Sequence, residues 1–133
     1  MSLEQEPTHF LNVDLEISST LNLAPLLAAW GKSVFILHAD RVKWTYRVFL
    51  EIGRIPKSAD QVIRVFCKLI ESLPRAERKI WDSASKRDFS IGIAAGLTPS
   101  ACDFTLSPKT VRVVADVGAR IVFTVYGAER TGA

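Results

Sequence analysis

The stretch "VKWTYRVFLEI", residues 42–52, alternates more clearly than any other part of the chain. Val42, Trp44, Tyr46, Val48, Leu50 and Ile52 fall on one side; Lys43, Thr45, Arg47, Phe49 and Glu51 fall on the other. A period of two belongs to an extended strand, whose successive side chains point to opposite faces. The fold must therefore contain a sheet with one buried and one wet face.

Working outward, "SVFILH" (33–38) precedes this strand and reads as its hairpin partner, joined by a tight "ADR" turn. Residues 10–17, "FLNVDLEI", alternate in the same way, with Leu11, Val13, Leu15 and Ile17 opposite Asn12, Asp14 and Glu16. Between them, "SSTLNLAPLLAAWG" reads as a short helix. Ser18, Ser19 and Asn22 are candidate caps, Pro25 sits in its first turn and Gly31 is its stop.

Downstream, Ser58 and Gln61 form an S-x-x-Q capping box. The helix it opens carries Val62, Ile63, Phe66, Leu69, Ile70 and Leu73 along one stripe. Pro74 then starts a second helix, expected over 75–87. "DFSIGI" (88–93) and "CDFTL" (102–106) read as strands, Ser107-Pro108 opens a helix that stops at Gly118, and "RIVFTVY" (120–126) is the last strand.

The predicted order is β-α-β-β-α-α-β-β-α-β, an α+β fold. Its first seven elements contain the split βαβ pattern of a ferredoxin-like unit with the second helix doubled. An antiparallel or mixed sheet with helices packed on one face is the expected architecture. Residues 14–37 and 103–125 also echo one another, with Asp14 matching Asp103, Ser18 matching Ser107 and Gly31 matching Gly118. Convergent cap and stop signals explain that echo with fewer assumptions than a duplicated unit.

At 133 residues the chain is one domain, with an ordered core expected over about 9–127 and short flexible termini. Hydrophobic residues make up 48% and charged residues 23%, which excludes a disordered chain. The net charge of +3 is too small to argue for nucleic acid by itself. Cys67 and Cys102 lie far apart with no CxxC and no neighbouring histidine, so no disulfide framework or zinc site follows, and both thiols are expected buried and reduced. No apolar run approaches the roughly 20 residues of a membrane span, and "MSLEQEPTH" lacks the apolar segment of a signal peptide. A cytoplasmic protein with no cofactor, no metal and no membrane association is the expectation.

GxSxG, P-loop, HExxH and strand-associated GxGxxG motifs are all missing from the sequence. "GIAAG", from Gly92 to Gly96, falls at a strand end and reads as a bend. His38 ends an apolar strand two residues before Asp40, a spacing that permits an imidazole–carboxylate pair. Asp14 and Glu16 share the wet side of the first strand, a placement that could bind a cation or face a glycoside. It reads rather as the solvated side of the strand, open to pairing across the sheet with Arg41, Lys43 or Arg47. Arg75, Arg78, Lys79, Lys86 and Arg87 give the 75–87 helix a mixed-charge face that reads as solvated.

Several landmarks occur together: "DLEISS", "LAPLLAAWG", "LIESLP", "RDFSIGI" and "LSPKTVRVVADVGARIVFTVY". In these, over residues 9–127, the chain resembles short uncharacterised bacterial proteins grouped as a domain of unknown function. The resemblance implies a compact bacterial cytoplasmic domain with an accessory or immunity-like role.

Three functions follow as expectations, in descending order. The first is a non-enzymatic protein-interaction domain that uses an exposed sheet face or strand edge, with Phe49 among Arg41, Lys43 and Arg47, and that is open to homodimer formation. The second is a small-molecule-binding protein or enzyme with a cleft lined by His38, Asp40, Trp44 and Tyr46. The third is nucleic-acid binding through the 75–87 helix. Base-stacking aromatics are scarce among its cations, so nucleic acid ranks last.

Overall fold

Val13, Leu15 and Ile17 are buried while Asn12, Asp14 and Glu16 are only half-buried, so the alternation of the first strand holds over 12–17. Leu11, expected on the buried side, is exposed, because the register shifts between Phe10 and Asn12 and Phe10 packs against the core in its place. The computed structural model describes residues 6–53 and 58–128. The chain ends expected to be flexible fall partly at 1–5 and 129–133, outside the described residues. The elements run β1 (His9–Ser19), α1 (Ala24–Trp30), a 3-10 turn (Gly31–Ser33), β2 (Phe35–Val42), β3 (Thr45–Glu51), α2 (Ala59–Glu71), α3 (Arg75–Ser83), β4 (Lys86–Ala94), α4 (Pro108–Asp116) and β5 (Arg120–Tyr126).

The strands form one mixed sheet of order β2-β3-β1-β4-β5, and the fold is α+β as the pattern predicts. β1 is antiparallel to both β3 and β4, β2 is antiparallel to β3, and β4 and β5 run parallel. The first four strands thus have the ferredoxin-like arrangement. α1 links β1 to β2, and α2 with α3 link β3 to β4. α4 then carries the chain to a fifth strand laid alongside β4.

The helices cover one face of this sheet. Register places Leu15 between Leu50 and Phe89, with Ile17 beside Val48 and Val13 beside Ile91. Val62, Ile63, Phe66, Cys67 and Ile70 of α2 are buried with them in one cluster, and the Phe66 and Phe89 rings lie 5.7 Å apart. Each large side chain so buried stabilises the fold by roughly 1.5–3 kcal/mol relative to exposure. Trp81 of α3 is fully buried, donates from Nε1 to the Val117 carbonyl at 2.8 Å and meets Trp30 edge-on at 6.3 Å. Trp30 in turn donates to the Leu69 carbonyl at 3.0 Å, so two indoles fasten α1, α2, α3 and the C-terminal end of α4 together.

Local signals set the helix ends. The Ser58 hydroxyl accepts from the Gln61 amide at 3.2 Å at the start of α2. The Ser107 hydroxyl accepts from the Thr110 amide at 3.1 Å at the start of α4, and the Ser107 amide donates to Asp60 at 2.7 Å. Burial pushes the Asp60 carboxyl up, but its bonds to Ser107 and Thr110 and the nearby Arg64 outweigh that and hold it below its ordinary value. At the far end of α4, Gly118 has φ 75°. Its amide donates to Ala115 and that of Ala119 to Val114, the paired bonds of a Schellman stop that favours glycine.

Four further expectations need correction. The β2–β3 hairpin does not turn at residues 39–41: β2 continues to Val42, which pairs with Thr45, and the chain reverses at Lys43 and Trp44. So short a reversal requires left-handed backbone, which Lys43 adopts at φ 54°. Trp44 therefore sits at the hairpin tip, 76% exposed, and not on the inner side of β3. Residues 102–106 form no strand, because β4 already has β1 on one edge and β5 on the other. Phe104 and Leu106 instead tuck against the core, which produces the same alternation. The helix expected over 75–87 ends at Ser83, and Lys86 and Arg87 belong to β4. Cys67 is buried, with its thiol pushed up to about 12 by burial and then by Glu71, whereas Cys102 is exposed.

The sequence echo is likewise partial. Gly31 and Gly118 both end helices with positive φ, but Ser107 caps a helix while Ser18 lies inside β1.

Candidate functional site on the uncovered face of the sheet

The residues that alternate away from the helices form rows across the sheet. Register aligns His38, Phe49, Glu16, Asp88 and Arg120 in one row spanning all five strands. The adjoining row contains Asp40, Arg47, Ser18 and Lys86. On the other side of the central row, Asp14 neighbours Ser90 and lies close enough to Glu51 for the two carboxylates to interact.

Almost every charge in these rows is matched across strands. Arg47 donates to both oxygens of Asp40, from Nε at 2.8 Å and Nη2 at 2.6 Å. His38 Nε2 lies 2.8 Å from Asp40 Oδ2, and its ring is 5.8 Å from that of Phe49. Lys86 donates to Glu16 at 2.9 Å. Arg120 donates to both oxygens of Asp88, at 2.9 and 2.7 Å. Asp88 is itself buried, whereas Arg120 spreads over the surface. Asn12 donates to Asp14 at 3.1 Å.

The face carries the carboxylates Asp14, Glu16, Asp40, Glu51 and Asp88 against the cations Arg47, Lys86 and Arg120. It is net acidic, although the whole chain is net basic. The Arg47 guanidinium, and next His38, hold the Asp40 carboxyl well below the usual carboxylate range. Asp40 and Asp88 correspondingly raise their arginine partners. Burial raises Asp14, and Glu51 adds to the effect.

These opposite shifts have opposite consequences for stability. The bonds to Asp40 contribute fully above its unfolded value near 3.8 and are lost as pH falls toward its lower folded value. Ionised Asp14 opposes folding at neutral pH, and that opposition fades as the carboxyl protonates in acid. Asp14→Asn is therefore expected to raise Tm at pH 7, with the gain shrinking as pH falls toward the unfolded value near 3.8 and absent below it. Asp40→Asn is expected to lower Tm at pH 7, with the deficit shrinking only in stronger acid. Calorimetric Tm series across pH check both.

Of the residues singled out by sequence, His38, Asp40, Arg47 and Phe49 come together on this face. Arg41 and Lys43 do not. Arg41 pairs in register with Tyr46, on the helix side, and its guanidinium stacks on that ring at 4.9 Å; Lys43 is in the turn. The cleft imagined around His38, Asp40, Trp44 and Tyr46 is split the same way, between the uncovered face, the hairpin tip and the helix side. Glu16 makes its ion pair with Lys86 of β4, while its charge also acts on Arg47, whose hydrogen bonds go to Asp40; Arg41 and Lys43 lie elsewhere.

Sequence reasoning missed Lys86, Asp88 and Arg120 as members of the face. The period-two spacing of Lys86, Asp88 and Ser90 was the available signal. The rest of the basic stretch is largely structural. Arg87 donates to the carbonyls of Trp81, Asp82 and Gly118, and Arg78 pairs with Asp82 at 3.1 Å.

Chemically, three donor groups fix Asp40 as a weakly basic acceptor, which suits charge positioning better than proton abstraction from His38. Among the described residues no group of three His, Cys, Asp or Glu side chains is placed to hold a metal ion. No described helix is long and apolar enough to cross a membrane. No protein-family model matches the chain, and no curated protein or solved structure is significantly similar to it.

Proposed function

We propose that the chain is a non-enzymatic protein-interaction or accessory domain, immunity-like in character, that meets its partner across the uncovered face of the sheet. One observation carries this reading: ionised side chains are held in cross-strand pairs around Phe49, over the width of a face that none of the described helices covers. Charges fixed before binding give specificity and orientation without the cost of ordering them. The excess of carboxylate favours a partner surface rich in lysine and arginine, with Phe49 and His38 as the apolar anchor. The resemblance to short bacterial proteins points to a cytoplasmic setting and an accessory role.

The hydrogen bond between His38 and Asp40 favours a second reading, a small-molecule or enzymatic site at that pair. Binding of nucleic acid through α3 would rest mainly on Arg75 and Lys79, which take no ion pair among the described residues.

Immobilised protein, challenged with lysate of the encoding organism, tests the proposal. The wild type and Lys79→Glu are expected to capture a partner that Phe49→Ser loses. Capture lost in Lys79→Glu and kept in Phe49→Ser would move recognition to α3. Capture by none of the three, with His38→Ala abolishing a metabolite-induced rise in Tm, would favour the second reading.

A further inference from the structure

β2 is the edge strand beside the candidate face, and it is an unusually inviting edge. It runs for eight residues and, among the described residues, pairs only with β3. Phe35, Ile36 and Leu37 follow one another and are each about half exposed, as is Val42 near its other end. By contrast Val48 and Leu50 of the neighbouring β3 are buried. A long edge with open backbone groups and exposed apolar side chains is a template for another strand.

We propose that the strand it accepts is β2 of a second copy, antiparallel, across a two-fold axis normal to the sheet. This goes beyond the reading of the uncovered face and does not depend on it. The charges on β2 choose the register. Centred on Ala39, the pairing sets each His38 opposite Asp40 of the second copy, and the smallest side chain of the strand lies on the axis. Centring on Asp40 would oppose two carboxylates, on Arg41 two guanidinium groups and on His38 two imidazoles; like charges directly opposite are destabilising. The Ala39 register therefore satisfies both copies at once, as a closed two-fold interface requires.

The other edge, β5, also exposes Phe123, Val125 and Tyr126. Its one charged residue is Arg120 and it carries no carboxylate, so pairing two copies of β5 would set no opposite charges against each other and nothing comparable fixes a register there. Pairing through β2 would give a ten-stranded sheet with all helices on one side. The two acidic faces would lie next to each other on the opposite side.

Cross-linking tests the register, and sedimentation tests the dimer. In the full chain carrying Cys102→Ser, with Cys67 buried, Ala39→Cys is expected to oxidise to a covalent dimer. Directly opposed residues of antiparallel strands have Cα atoms about 4.5–5.5 Å apart, within disulfide reach. Phe123→Cys in the same background is expected to stay monomeric under oxidation. The wild type should sediment as a dimer, and Leu37→Lys, an exposed substitution, should weaken it at least about tenfold. A wild type that is monomeric throughout a dilution series would overturn the proposal. Cross-linking through Phe123→Cys, equal to or in place of Ala39→Cys, would overturn it as well.

Discussion

Trp81→Ala is expected to cost about 3–5 kcal/mol of folding free energy, the largest effect of any single side chain here. Three losses coincide at this position. The indole is fully buried, so its removal leaves a cavity where α3 meets the core. The edge contact with Trp30 disappears, freeing the link between α1 and α3. The Val117 carbonyl loses its donor at the stop of α4, just before the Schellman turn. Trp81→Phe separates these terms, because it keeps most of the aromatic packing and removes only the donor; its cost is expected near 1–3 kcal/mol. A small domain has only about 5–15 kcal/mol in total, so this loss is at least about a fifth of it and should lower the urea midpoint clearly. Urea denaturation followed by far-UV circular dichroism measures both. A cost below about 1 kcal/mol for Trp81→Ala would show that α3 is not held by this side chain.

Arg120→Ala is expected to have the second largest effect, and its cause is the residue left behind. Asp88 is almost wholly buried, and both its oxygens are satisfied by the Arg120 guanidinium. Without that partner a buried carboxylate faces Glu16 in the next strand with no donor of its own from β5. Leaving a charged acceptor unsatisfied costs more than the pair contributes when intact. Tm should therefore fall by several degrees in Arg120→Ala. Adding Asp88→Asn to it should recover part of the loss, because the neutral amide is cheaper to bury. Thermal unfolding of the two single variants and the double variant gives the coupling directly. A double variant less stable than Arg120→Ala would contradict the argument.

The order of elements and the one-sided sheet were legible because they depend on period and on local chemistry. Val13, Leu15 and Ile17 repeat every second residue, Ser107-Pro108 begins a helix wherever its partners are, and Gly118 ends one for backbone reasons alone. The hairpin turn was misplaced because nothing in "HADRVKWT" carries the usual Asn-Gly or Asp-Gly signal; Lys43 is a rare occupant of left-handed backbone. The strand expected at 102–106 failed for a non-local reason, since whether an alternating stretch finds a free edge depends on where β5 goes.

The candidate site was half legible for the same reasons. The spacing of His38 and Asp40 suggested their contact. The partner that dominates Asp40, however, is Arg47, brought across by the β2–β3 register. Arg41 and Lys43 were assigned to the wrong surface by the single error in the turn. Asp88 and Arg120 lie 32 positions apart, and only the parallel pairing of β4 with β5 makes them neighbours.

The account depends most on β1 having one dry and one wet side, since the acidic face exists only if the helices leave that side open. Thiol reactivity along β1 measures this directly, using single cysteines in a Cys102→Ser chain. Asp14→Cys and Glu16→Cys should react readily with a maleimide in the native state, and Val13→Cys and Leu15→Cys only after denaturant is added. Equal reactivity at all four positions, or protection of 14 and 16 with exposure of 13 and 15, would contradict it.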